Sequence, residues 1–220
     1  MSLMRRFRAD NEALWERAVT HPFVQELTLG TLPLEKFQRY FLQDYAFLRE
    51  FSTLLALSVA KSPDTDTARR LATFLAGILE GEEGLFRQTF REWGWPEERW
   101  RLPSRLPTAR AMGDFMVRVA YEGSFPELLT VLVATEGVYL DWATRAVEAG
   151  RSPERKVYRD WIDIHSNAEF TEFVGWLMET FDAMAVTDAQ REQAGRLFRE
   201  TLRHEAAFWE MGYRGEEQMG

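Results

Sequence analysis

Three acids stand where this sequence otherwise writes apolar residues, and its chemistry begins with them. Glu136 falls inside Leu128-Leu-Thr-Val-Leu-Val-Ala-Thr-Glu-Gly-Val-Tyr-Leu-Asp-Trp142, a stretch apolar nearly all round. Such a helix belongs in a core, where an unpaired carboxylate costs on the order of several kcal/mol. Two readings are open. Either the helix is the central wall of a ligand pocket that Glu136 faces, or it is a core helix whose Glu reaches an Arg or the surface. Tyr139, three residues on, shares the side of Glu136, and Gly137 reads as leaving room beside them. Glu205 continues the stripe of Phe198 and Leu202 and is the second acid on a buried face. Asp44 lies among Tyr40, Phe41, Tyr45, Phe47 and Leu48. That setting resembles the lining of a site for a flat polar ring, and the plainer alternative is a surface acid paired with Arg39 or Arg49.

Composition narrows what these acids can serve. The chain has 220 residues, 45% of them apolar and 14% aromatic, enough for a real core. A formal charge of −8 argues against nucleic acid or an anionic membrane as partner. No apolar run approaches the roughly 18–20 residues of a membrane span, and the basic N-terminus is not followed by the apolar segment of a signal peptide. The sequence has no Cys and only three His, His21, His165 and His204. Disulfides, thiolate metal sites and a cysteine nucleophile are therefore excluded, and a cytoplasmic setting is expected. The Glu80-Gly-Glu82-Glu83 cluster reads as a solvated face, because the helical metal template Glu-x-x-His does not occur.

The elements that must position these residues are all helical in pattern. His21-Pro22-Phe23 interrupts a first helix, and Gly30 stops the short one that follows. A long helix runs from about Pro33 to Lys61. Ser62-Pro63-Asp64 opens another that reaches Trp93. Residues 94–107, with Gly94, Pro96, Pro103 and Pro107, form the longest loop. A helix over Thr108–Tyr121 precedes the central one, which begins with the Ser124/Glu127 capping box. Ser152-Pro153-Glu154 predicts the start of a further helix, with a kink near His165-Ser-Asn-Ala-Glu169. Thr187-Asp-Ala-Gln190 is a second capping box before the last helix. The expectation is an all-α chain, a single compact bundle of roughly seven or eight helices forming one domain over residues 1–220.

Four short pieces, taken together and in this order, resemble the TenA family, the thiaminase-II-like aminopyrimidine hydrolases of the haem-oxygenase-like fold. They are His21-Pro22-Phe23, Gln43-Asp44-Tyr45, Trp161-Ile-Asp-Ile-His-Ser-Asn-Ala-Glu-Phe170, and Glu205-Ala-Ala-Phe-Trp-Glu-Met-Gly-Tyr213. Ala134-Thr-Glu-Gly-Val-Tyr139 is similar to the Ala-x-Glu-x-x-Tyr of the family's cysteine-less, Glu-type branch. The resemblance implies that Glu205 is the acid common to both branches, Glu136 the branch-specific acid, Tyr139 a proton or positioning partner, and Asp44 the group that grips the aminopyrimidine. It also implies a homotetramer. Three tyrosines of the cysteine branch are replaced here, by Phe47, by Met112 after Pro107-Thr-Ala-Arg-Ala, and by His165, so these three residues are expected to read the substrate's polar edge differently.

On this reading the chain is a cofactor-free hydrolase of thiamin salvage. It turns an amino- or formylamino-methyl pyrimidine into the hydroxymethyl pyrimidine, with two carboxylates sharing acid and base duties, Glu205 as donor and Glu136 as base. The small pyrimidine is the partner expected, with no nucleic acid, no membrane and no metal. Two alternatives remain: a di-iron oxidase of the same fold using His165-x-x-x-Glu169-x-x-Glu172 and His204, and a non-catalytic aminopyrimidine-binding protein.

Overall fold

In the computed structural model, residues 2–184 and 187–216 are described, and no strand occurs among them. In chain order the helices are α1 (Leu3–Asp10), α2 (Glu12–Val19), α3 (Pro22–Leu29), α4 (Leu34–Lys61) and α5 (Thr65–Gly77). A π-helical turn, Ile78–Glu82, joins α5 to α6 (Glu83–Glu92), and α7 (Glu97–Trp100) is a single turn. Then follow α8 (Pro107–Glu122), α9 (Phe125–Glu148), α10 (Lys156–Ile164), α11 (Ala168–Ala183) and α12 (Asp188–Arg214). The chain divides into two compact units, one made of Met1–Pro33 with Pro126–Glu210, the other of Leu34–Phe125 with Met211–Gly220.

Most boundaries lie where the local chemistry puts them. His21 caps α3 with Pro22 at its first position, and Gly30 closes it at φ 76, a left-handed angle that glycine adopts without a Cβ penalty. Asp64 caps α5 through Thr67 N at 2.8 Å. Thr187 and Gln190 cap α12 reciprocally, Gln190 N donating to Thr187 Oγ1 at 3.2 Å and Thr187 N to Gln190 Oε1 at 2.9 Å.

The helices outnumber the seven or eight expected, for local reasons. The basic N-terminus is itself helical, because Met4 and Phe7 are buried and Met4 N donates to Asp182 at 2.7 Å. The Ser152-Pro153-Glu154 start is not used. Arg159 Nη1 donates to the carbonyls of Pro153 and Glu154 at 2.6 and 2.5 Å, holding them as loop, and α10 begins at Lys156. The kink near His165 is a full break, since Asn167 caps a new helix by accepting from Phe170 N at 2.8 Å.

In the first unit α9 is enclosed on every side from Leu128 to Val138. Asp141 anchors it. This carboxylate accepts from Arg8 at 2.6 Å, Trp15 Nε1 at 2.7 Å and Arg145 at 2.6 Å, while Arg145 also grips Glu16 at 2.7 and 2.9 Å. The guanidinium between them holds Glu16 below the usual carboxylate range. A paired charge network of this kind fixes the register of α1 and α2 against α9. In the second unit α4 packs on α5 and α8. Gln43 pins the loop before α8, donating to Ser104 O at 3.0 Å and accepting from Leu106 N at 2.8 Å. Lys61 satisfies the carbonyls that end α8, Ala120, Tyr121 and Gly123, at 2.6–3.0 Å.

Candidate active site

The two faces of α9 do different work. Gly137 faces packing: a Cβ there would meet Trp15 Cη2 at 2.9 Å and Met178 Cε at 3.3 Å. The expectation that Gly137 opens room beside Glu136 is corrected, for its missing side chain lets Trp15 close onto the helix. The other face carries Thr135, Tyr139 and Trp142, one and two turns apart. Tyr139 meets His165 at 4.7 Å and Trp209 at 5.3 Å between ring centroids, and Trp142 lies 5.8 Å from His165 and 6.3 Å from Trp209. Glu136 is 6% exposed and Glu205, one turn before Trp209 on α12, is 1% exposed. Glu136 therefore does not reach the surface.

His165 has its proton assigned by its surroundings. Nδ1 lies 2.8 Å from the Trp161 carbonyl, which can only accept, so Nδ1 carries the hydrogen. Burial holds the ring neutral, with its pKa lowered to about 4, so Nε2 is the acceptor of the ring. His21 has the opposite tautomer. Its Nδ1 accepts from Phe23 N at 3.2 Å, so Nε2 donates to Glu210 at 2.9 Å. Phe23 stacks on Trp209 at 5.3 Å. The His-Pro-Phe piece and the end of α12 are thus brought together as support behind the ring cluster.

The second unit holds a different acid centre. Asp44 accepts from Tyr40 OH at 3.1 Å. It pairs with neither Arg39, which donates to Gly212 O at 2.9 Å, nor Arg49, which is exposed. Tyr45 OH, the next residue, donates to Glu83 at 3.4 Å, and Phe41 packs on Phe86 at 4.3 Å. Across that contact Glu82 stands on the π-turn. Both acids keep some accessible area, yet enough protein surrounds them for burial to push Asp44 up to about 7 and Glu82 up to about 8, the latter raised further by the Asp44 charge. Asp44 ionises first, while Glu82 is neutral, and Glu82 must then ionise beside a charge. The solvated face expected for Glu80-Gly-Glu82-Glu83 holds for Glu80 alone. The π-turn rotates Glu82 inward and Glu83 onto Tyr45 and Arg87, a use of π-turns common at functional sites.

Phe47 and Met112 are buried in the second unit, Phe47 against Phe51 at 6.4 Å between ring centroids. Among the described residues no three His, Asp or Glu side chains gather as a metal-binding set. The proposed His165, Glu169 and Glu172 ligands do not converge, because the helix their spacing assumed is broken at 165–167 and both glutamates are exposed. No helix among the described residues is long and apolar enough to cross a membrane.

Against known proteins, the profile of the TENA/THI-4/PQQC family matches residues 8–215. The chain belongs to this family. An aminopyrimidine aminohydrolase from Helicobacter pylori is 28% identical over 206 residues, covering 92% of this chain and 94% of that one. A TenA homologue from Pyrococcus horikoshii superposes with a TM-score of 0.89 at 29% identity, covering 98% of this chain and all of that one. A Shewanella denitrificans domain described as having a heme oxygenase-like fold superposes with a TM-score of 0.73 at 14% identity, covering 97% of this chain and 96% of that one. The fold of this TENA/THI-4/PQQC member is all-α and haem-oxygenase-like. Sequence reasoning passed over Thr135, Trp142 and Glu82. The first two carry a signal only once burial is known, and Glu82 looked like one charge in a run of three.

Proposed function

We propose that the chain is a cofactor-free hydrolase of thiamin salvage, releasing ammonia from an aminomethyl pyrimidine, or formamide from a formylaminomethyl one, to leave the hydroxymethyl pyrimidine. The observation that carries this reading is a pair of enclosed carboxyls, Glu136 and Glu205, on the two helices whose Tyr139 and Trp209 rings meet at 5.3 Å. Membership of the family and the name of the Helicobacter pylori relative support the substrate class. Water attacks the exocyclic methylene carbon and the C–N bond breaks. Glu136 takes a proton from the water, and Glu205 gives one to the departing amine. Tyr139 positions these groups. Asp44 is assigned the amino group and ring nitrogen of the pyrimidine, and Phe47, Met112 and His165 its remaining edge. With a pKa near 7, the Asp44 carboxyl can both donate to the ring nitrogen and accept from the amino group.

Residues 1–220 act in this reading as one catalytic domain, which the family profile supports by running through both compact units. A cytoplasmic homotetramer is part of the same proposal, checked by light scattering of the purified protein. The test of function is incubation with a panel of aminopyrimidines, followed by mass spectrometry. Hydroxymethyl pyrimidine and one equivalent of ammonia are expected from the aminomethyl compound, undiminished by EDTA. Absence of product from every member overturns the reading, and activity lost to EDTA and restored by iron favours the oxidase.

A further inference from the structure

Thr135 is 5% exposed, and its hydroxyl is buried with no hydrogen-bond partner among the described residues. A helical threonine has an acceptor at hand in the carbonyl four residues back. Buried hydroxyls elsewhere in this chain use it: Ser58 at 2.8 Å, Thr201 at 2.9 Å and, on α9 itself, Thr130 at 2.7 Å. Thr135 is turned away from the Val131 carbonyl. It is not alone on its face. Trp142 Nε1, two turns on, is likewise buried without a partner among the described residues, and the neutral His165 ring packs on Tyr139 between them. An unpartnered donor–acceptor and an unpartnered donor thus lie along one side of α9. Buried polar groups of native proteins are nearly always satisfied, by protein or by ordered water, so this row points to a polar occupant.

We propose that the Thr135 hydroxyl holds the hydrolytic water, which makes Thr135 a catalytic residue beside Glu136. The inference rests on the hydrolase reading above. Thr135 Oγ1 accepts one O–H of the water and Glu136 takes the other proton, so the oxygen lone pair is directed at the methylene carbon. The C–O bond forms as the C–N bond breaks, and the amine leaves with a proton from Glu205. Threonine suits this better than serine because its methyl group restricts χ1 and fixes where the hydroxyl points.

Thr135→Val keeps the shape and deletes the hydroxyl. With the aminomethyl pyrimidine as substrate, kcat is expected to fall about 100-fold with KM unchanged. Because a buried hydroxyl is replaced by a methyl, Tm should be equal to or above that of the wild type. Thr135→Ser should restore kcat to within roughly tenfold of wild type. Wild-type kcat in Thr135→Val overturns the proposal, and so does a raised KM with kcat retained, which would make Thr135 a substrate contact. The hydrolase reading fails separately, when the wild type itself releases no ammonia. In that event a crystal structure still decides the site: an ordered water on Thr135 Oγ1 that is lost in Thr135→Val supports it, and a dry hydroxyl overturns it.

Discussion

The ring cluster around His165 and the acid pair of Asp44 and Glu82 both remove ionisable groups from water, with opposite consequences for pH. His165 is held neutral, with its pKa lowered to about 4, so across the neutral range it keeps one donor and one acceptor nitrogen. Asp44, raised to about 7, is half ionised at neutrality, and Glu82, raised to about 8, is mostly protonated there. The first region offers a constant hydrogen-bonding surface, and the second changes charge with small changes in pH. Burial does both. It penalises the cation of the imidazole and the anion of the carboxyl, and so moves the two kinds of group in opposite directions. A ring of constant charge suits a fixed hydrogen-bonding edge, and a carboxyl near its midpoint suits recognition of a weakly basic ring.

The sharpest test of this division is Glu205→Gln. It should lower turnover by about 10²–10⁴-fold with product binding retained, since the shape is kept and only the proton is lost. Glu136→Gln should be comparably damaging, and the double variant little worse than either, as for groups that act as one unit. Losses that multiply would make Glu136 a structural acid. Asp44→Asn should act on binding instead, weakening the pyrimidine about 10- to 100-fold by calorimetry, the worth of a charge-assisted hydrogen bond. An unchanged dissociation constant would remove Asp44 from recognition.

Stability separates the regions without any substrate. Gly137→Ala drives a Cβ to 2.9 Å from Trp15 Cη2 and should cost about 1–3 kcal/mol in denaturant unfolding. A neutral result would mean that Trp15 gives way freely. The remaining test is in pH. Between about 4.5 and 8 the folded chain keeps a Glu82 proton that the unfolded chain has released, so stability falls as pH rises, and the full cost is present above 8. Glu82→Gln should therefore match wild type at pH 4 and exceed it at pH 9 in Tm. For His165 the sign reverses. Between about 6.5 and 4 the unfolded chain binds a proton that the folded ring refuses, so stability is lost as pH falls. His165→Asn, whose amide can still donate to the Trp161 carbonyl, should lessen that acid loss. Parallel pH profiles for each variant and the wild type would break the comparison.

What the sequence by itself determined here is what depends on near neighbours. The helical period of apolar residues marked α4, α8 and α12, an apolar run behind a capping box marked α9, Pro22 and Gly30 bounded α3, and the Thr187/Gln190 box opened α12, because caps and turns are built within a few residues. Acids on apolar stripes singled out Asp44, Glu136 and Glu205, since a helix face is legible from spacing alone. Tertiary structure decided the rest. Gly137 serves Trp15, Ser152-Pro153-Glu154 is held as loop by Arg159, and one π-turn converts Glu82 from surface charge to enclosed acid. The tautomer of His165 and the unpartnered hydroxyl of Thr135 depend on partners present or missing in three dimensions. Spacing shows which way a side chain points along its own helix, but only packing decides what, if anything, it meets there.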